Sequence, residues 1–109
     1  MKVLHLTLKK QWFDMIASGE KREEYREIKK YWNRRLNKEY DAIEFRNGYA
    51  KDSPKITVKL DSVLIGLGIV EWGAPDYDRF YILKLGEIIS KSQQCTEIDG
   101  NEKSTRCVQ

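Results

Sequence analysis

A chain of 109 residues, 40% of them hydrophobic, can bury one core and has no room for a second domain of similar size. Its formal net charge of +3 is unevenly placed, since residues 21–38 carry eight basic and three acidic side chains. No apolar run approaches the roughly 18 residues of a membrane-spanning helix, and the N-terminus lacks the apolar stretch of a secretory signal. We therefore expect a cytoplasmic protein with no membrane partner.

The first two elements are predicted from hydrophobic periodicity. Residues Val3–Leu8 alternate with three leucines on one face, which is typical of a half-buried strand. In "KKQWFDMIASG" the apolar residues change to helical spacing, and Gly19 stands where a glycine commonly ends a helix. The sequence predicts a strand followed by a short amphipathic helix.

Residues 21–27 are charged at almost every position and are interpreted as a short strand. A second helix is predicted from residue 28, with an apolar stripe and a basic stripe along it. The apolar stripe consists of Ile28, Trp32 and Leu36, and the basic stripe of Lys30, Arg34 and Lys38.

The second half of the chain is rich in predicted strands. They are "DAIEFRNGY", "PKITVKLD", the continuous apolar run "SVLIGLGIVEW", which we interpret as a core strand, and "RFYILKLGEII". Gly66 and Gly68 indicate a sharp bend or a close approach by another part of the chain. The predicted class is α+β, a small mixed barrel of about six strands with two short helices.

Residues 1–89 are predicted to form this domain, and residues 90–109 a flexible, solvated tail. Cys95 and Cys107 both lie in the tail and are expected to be free thiols. A hairpin around Asp99 and Gly100 is the alternative, and it brings the two cysteines together.

One charged motif carries the strongest chemical signal. Gly19, Lys21, Glu24 and Arg26 follow the spacing G-x-K-x-x-E-x-R. Lys21 and Arg26 can bind phosphate or the carbonyl oxygens of a base, and Glu24 can accept from an exocyclic amine. The alternative is an ion-pair network on a solvated strand.

Basic residues near Tyr31 and Trp32 are candidates for nucleic-acid contacts, because phosphate neutralisation and base stacking need this combination. The alternatives are a solvated helix face and a Trp32 that belongs to the core. The candidate residues are Lys29, Lys30, Arg34 and Lys38.

The stretch "LTLKKQWFDMIASGEKREEYR" resembles the signature of the ASCH domain family, which is similar to PUA-type RNA-binding barrels. The resemblance implies binding of RNA or a modified nucleoside, with Lys21, Glu24 and Arg26 as ligand contacts. One bacterial branch hydrolyses acetylated cytidine with a lysine, a threonine and a later glutamate. Those positions correspond to Lys21, Glu24 and Glu71, so the nucleophile is replaced here.

We assign no catalytic residue and expect no appreciable hydrolysis, because Glu24 should hold Lys21 protonated and unable to act as a base. His5 is the only histidine, and no metal or cofactor motif accompanies it, so neither a metal nor a cofactor is expected. A barrel that binds other proteins and no ligand is a further alternative.

Overall fold

The computed structural model describes residues 1–75 and 78–92, which form one mixed sheet and two short helices. The elements in chain order are β1 (Val3–Leu8), α1 (Lys10–Ser18), β2 (Glu23–Arg26), α2 (Lys30–Arg35), β3 (Ala42–Asn47), β4 (Lys55–Gly66), a 3-10 turn (Val70–Trp72) and β5 (Phe80–Ser92). The predicted α+β class is confirmed.

The five strands form one sheet in the order β1-β3-β4-β5-β2. β1 and β3 are parallel, and the other neighbouring pairs are antiparallel. The sheet curls into a half-barrel whose two edge strands, β1 and β2, are not paired with each other. The fold is therefore barrel-like, but the prediction of about six strands in a closed barrel is wrong.

The difference in strand number arises in β4. The segments "PKITVKLD" and "SVLIG" were predicted as parts of two strands, and they form one strand of 12 residues. Its pairing with β5 shifts register at several points between Thr57 and Ser62. Such irregularities bend a strand without ending it, so the polar residues at the predicted boundary lie inside β4.

The prediction that "SVLIGLGIVEW" forms a core strand is wrong. Leu64 and Ile65 are 49% and 54% exposed, and the chain leaves the sheet after Gly66. β3 pairs with β4 only as far as Lys59, so the hairpin of β4 and β5 extends past the strands that α1 contacts. The close approach predicted at Gly68 does occur, since a Cβ atom there would lie 2.5 Å from the Tyr25 ring.

The first strand and the first helix form as predicted. The three leucines of β1 are buried, and Phe13 and Ile16 of α1 pack into the same core. α1 ends at Gly19, whose φ of 89° is left-handed and whose N–H donates to the Ile16 carbonyl at 3.1 Å. Glycine adopts this backbone conformation without the steric cost that a Cβ atom brings.

Helix α2 is shorter than predicted. It covers Lys30–Arg35, so Ile28 precedes it and Lys38 follows it. Ile28 is 45% exposed, whereas Trp32 and Leu36 pack against the core. Only two members of the predicted basic stripe therefore lie on the helix.

Strand β5 continues to Ser92, slightly beyond the predicted domain boundary. The predictions for the rest of the tail, including those for Cys95 and Cys107, lie outside the described residues. Within residues 1–75 and 78–92, neither helix has the length and apolar character needed to span a membrane.

Candidate ligand-binding site

Lys21 is a buried cation surrounded by aromatic rings. The left-handed turn at Gly19 and a hydrogen bond from the Lys21 N–H to the Met15 carbonyl turn the chain back against α1. The side chain is 1% exposed, and its Nζ lies 5.3 Å from the centre of the Trp12 ring and 4.8 Å from that of Tyr25. Rings at these distances attract an ammonium group, so they partly replace its lost hydration.

Glu24 joins Lys21 to Arg26. Its Oε1 lies 3.3 Å from Lys21 Nζ, and its Oε2 lies 2.9 Å from Arg26 Nη2. Lys21 Nζ also donates to the Trp72 carbonyl at 2.5 Å. The three predicted motif residues therefore form one ion-pair group, and the burial of Lys21 and Glu24 distinguishes it from a solvated network.

Arg26 keeps two donors without acceptors among the described residues. Its Nε and Nη2 are buried and make no hydrogen bond, because the ion pair with Glu24 is poorly aligned for one. The Trp32 ring lies 5.1 Å from the guanidinium carbon and supports the group from the side of α2. Buried guanidinium donors without hydrogen-bond partners are unfavourable.

Burial lowers the pKa of Lys21 below its ordinary value, and the favourable charge of Glu24 offsets this only in part. The nearby Arg26 charge also lowers it. Glu24 therefore favours the ammonium form of Lys21, whereas desolvation, the larger effect, opposes it.

A cavity of about 570 Å³ lies in the opening between the two edge strands of the sheet. This volume is within the usual range of small-molecule sites. Glu24 and Arg26 line it, and Lys21 lies behind the wall that they form. The other lining residues are Thr7, Leu8, Lys9, Trp12, Tyr25, Asn47, Gly48, Tyr49, Trp72 and Gly73.

Sequence reasoning missed most of the aromatic lining. Trp12, Tyr25 and Tyr49 all line the cavity, and none of them is among the predicted site residues. Tyr49 is 87% exposed although it lines the cavity, and it follows Gly48, whose φ of 100° is left-handed. A large aromatic side chain next to a glycine in a turn was the available signal, but the turn gives no indication of what it faces.

Tyr25 lines the cavity and also contacts Glu23, a buried carboxylate outside it. Its hydroxyl donates to Glu23 Oε1 at 2.7 Å and accepts from the Ile69 N–H at 2.9 Å. Burial raises the pKa of Tyr25, so the hydroxyl keeps its proton. Burial alone would raise the pKa of Glu23, but the hydrogen bonds from Lys84 and Tyr25 together lower it.

The remaining candidates lie outside the cavity. Lys29, Lys30, Arg34 and Lys38 are all exposed, and Lys29 Nζ lies 2.7 Å from Glu27 Oε1. Lys30 and Arg34 lie on the same helix as Trp32, which contacts Arg26.

Glu71 is exposed on the 3-10 turn and does not line the cavity, whereas its neighbour Trp72 does. His5 Nδ1 lies 2.8 Å from Glu44 Oε1 on the adjacent strand and is not part of the cavity.

The described residues contain no group of three or more histidine, cysteine or acidic side chains placed to hold a metal ion. Comparisons of the chain with protein-family models, with curated proteins and with solved structures found no match.

Proposed function

We propose that this chain binds a nucleobase, carried by a nucleoside or by single-stranded RNA, in the cavity beside Glu24 and Arg26. One observation carries the proposal: the Glu24 carboxylate and the Arg26 guanidinium, whose Nε makes no hydrogen bond to the described residues, belong to residues that line a cavity with aromatic walls. A nucleobase fits this combination, because its flat surface can stack on the aromatic rings and its polar edge can form hydrogen bonds with the charged side chains.

The polar edge of a base commonly places an amine next to a carbonyl oxygen. Glu24 can accept from the amine, and the Arg26 guanidinium can donate to the oxygen. Because Lys21 and Glu24 are buried and paired, the carboxylate is already fixed before a ligand arrives. Preorganised groups of this kind cost little ordering entropy on binding.

The flat surface of a base favours stacking on aromatic rings. Tyr49 at the rim and Trp12 and Trp72 deeper in the wall offer such rings. Stacking contributes about 1–3 kcal/mol per base in proteins that bind single strands. An exposed Tyr49 is therefore best explained as a ring that a ligand covers.

Binding of a polymer needs phosphate contacts outside the cavity. Lys9 lies at the rim, and Lys30 and Arg34 are exposed on α2, whose Trp32 packs on Arg26. A strand with one base in the cavity can follow this basic surface. Membership of the ASCH family is part of the proposal, and it rests on the motif whose charged residues meet at Glu24.

The test is a calorimetric titration of the full chain with cytidine, uridine, adenosine and guanosine, followed by a short single-stranded RNA. We expect at least one nucleoside to bind, and Glu24→Gln and Arg26→Gln each to weaken it. Glu27→Gln is the matched control, because it removes an exposed carboxylate next to the site and should leave the affinity unchanged.

The RNA titration separates the two forms of ligand. If RNA is bound, its affinity should fall steeply with salt, and replacing Lys30, Arg34 and Lys38 together with Ala should flatten that dependence. Nucleoside binding without RNA binding restricts the proposal to free nucleosides. Absence of both at low salt, or equal effects of Glu24→Gln and Glu27→Gln, refutes it.

A second candidate function is hydrolysis of the amide of acetylated cytidine, and the position of Glu24 in the cavity beside Arg26, with the buried Lys21 in contact with it, is the observation that favours it. Lys21 does not line the cavity, so it can act only through Glu24. Glu24 would take a proton from water as the water oxygen attacks the amide carbon, with Arg26 beside the oxyanion. The C–N bond then breaks, and the proton passes to the departing amine of cytidine.

Incubation with acetylcytidine and chromatography of the released cytidine tests this route. We expect no appreciable release, because Glu24 holds the position of the threonine nucleophile that the ASCH resemblance implies. Turnover that Glu24→Gln abolishes and Lys30→Ala retains would make the protein an enzyme.

A further inference from the structure

Part of β4 is an apolar sheet edge without a neighbouring strand. β3 pairs with β4 up to Lys59, and Leu60 donates to the Asp41 carbonyl, after which β4 pairs only with β5. Among the described residues, no strand lies beside the other edge of residues 61–66. We call this segment the free edge of β4.

The free edge continues into the most apolar exposed surface of the described residues. Five exposed large hydrophobic side chains fall within residues 64–70, and residues 62–70 contain no charged residue. Together they present on the order of 400 Å² of apolar surface, which is within the roughly 300–600 Å² of the largest apolar patch on a typical monomer, and such a patch is often functional. The five side chains are Leu64, Ile65, Leu67, Ile69 and Val70.

Edges of this kind are normally protected. Short length, charged side chains, proline or a covering loop prevent an exposed edge from pairing with another chain. β2 at the opposite side of the sheet shows such protection, since it has four residues and three of them are charged. The free edge of β4 has one charged residue, Asp61 at its start, and no proline, and residues 36–41 line a groove only beside its first residues, up to Val63.

We infer that two copies of this chain associate through the free edge of β4, each adding its edge antiparallel to the other. This inference does not depend on the proposed nucleobase site. The same edge on both copies forms a symmetric contact, which uses up both free edges and therefore stops at a dimer. The lack of charge in residues 62–66 means that no like charges meet at the seam.

Both faces of the seam would bury apolar side chains. Leu64 lies opposite Ile82 on one face of the hairpin, and Ile65 lies opposite Tyr81 on the other. Two exposed patches of about 400 Å² supply a large part of the roughly 1,200–2,000 Å² that stable interfaces bury. Main-chain hydrogen bonds along the edge add to this.

The chain's own tail is a poor occupant of the same edge. β5 ends at Ser92 opposite Lys55, whereas the free edge adjoins the other end of the hairpin, where Gly66 pairs with Phe80. The distance along the intervening strand is roughly 30–40 Å, so about 9–12 extended residues of the 17 that follow Ser92 would be needed to span it. The sequence of residues 93–109 is almost entirely polar, so it cannot cover an apolar surface well.

The test is sedimentation of the full chain under reducing conditions across a wide range of protein concentration. We expect a mass near twice 12.9 kDa at high concentration. Leu64→Lys should raise the dimer dissociation constant by about tenfold or more, because the seam would bury an unpaired ammonium. Ile89→Lys is the matched control, since Ile89 is 47% exposed on β5 but far from the seam.

A backbone measurement separates edge pairing from a side-chain contact. Amides of residues 62–66 that point away from β5 should exchange more slowly with deuterium as concentration rises, and those of β2 should not change. Circular dichroism checks that both variants fold. A chain that stays monomeric, masses that grow beyond the dimer, or equal effects of Leu64→Lys and Ile89→Lys would each overturn the inference.

Discussion

Replacing Glu24 with Gln removes the negative charge from a buried group of three while keeping the side-chain volume. The carboxylate lies 3.3 Å from the Lys21 ammonium and 2.9 Å from the Arg26 guanidinium, and the Glu24 side chain is 9% exposed. At an effective dielectric constant of about 20, each contact contributes roughly 5 kcal/mol before desolvation is counted. Removing one partner from a buried pair costs about 3–5 kcal/mol. We expect the lower figure, because the amide oxygen of the new side chain still accepts from Lys21.

Urea unfolding followed by tryptophan fluorescence measures this loss in the free energy of unfolding. Glu27→Gln is the control, because Glu27 also lies beside a lysine, at 2.7 Å from Lys29, but both side chains are more than half exposed. An exposed pair contributes less than about 1 kcal/mol, so the control should be nearly neutral. Equal losses in the two variants would refute the argument that burial makes the Glu24 group important for stability.

Three further predictions follow from single contacts. Because the pKa of Lys21 is lowered, the unfolded chain binds more protons at alkaline pH, so the free energy of unfolding should rise with pH up to about 10.4. Lys21→Met should flatten that rise in urea titrations, and an unchanged slope would contradict it. Gly68→Ala should cost about 1–3 kcal/mol in the same assay, because its Cβ would lie 2.5 Å from the Tyr25 ring. Gly66→Ala meets nothing closer than 3.6 Å and should be nearly neutral, so a similar loss there would count against the packing argument. Tyr49→Ala should weaken nucleoside binding by about 1–3 kcal/mol in calorimetry without lowering the melting temperature; unchanged affinity would exclude stacking on this ring.

Local patterns were sufficient for the first third of the chain. The alternation in β1, the helical spacing in α1 and the glycine at its end all describe contacts between near neighbours in sequence. The motif spacing also indicated that Lys21, Glu24 and Arg26 lie together. The burial of Lys21 was not predictable in this way, because Trp72, which binds its ammonium, is 51 positions away.

The apolar run after Asp61 shows where periodicity fails. A continuous hydrophobic segment indicates that its side chains are removed from water, but the pattern does not say which surface covers them. Here β3 ends before the run does, so Leu64 and Ile65 lie beyond the core of the single chain. The cavity was missed for a related reason, since its walls come from β1, α1, β2, the β3–β4 loop and the 3-10 turn.

The loop that carries Tyr49 is closed at its base, because the Asn47 N–H donates to the Pro54 carbonyl at 3.0 Å. It supplies part of the cavity rim, whereas Lys21 and Glu24 come from a different segment of the chain. The rim residues that would select a ligand and the buried charges that stabilise the fold therefore lie in different segments of the chain. A loop of different length or sequence, grafted between the same two end residues, should alter which molecules the cavity admits while leaving the buried charges undisturbed.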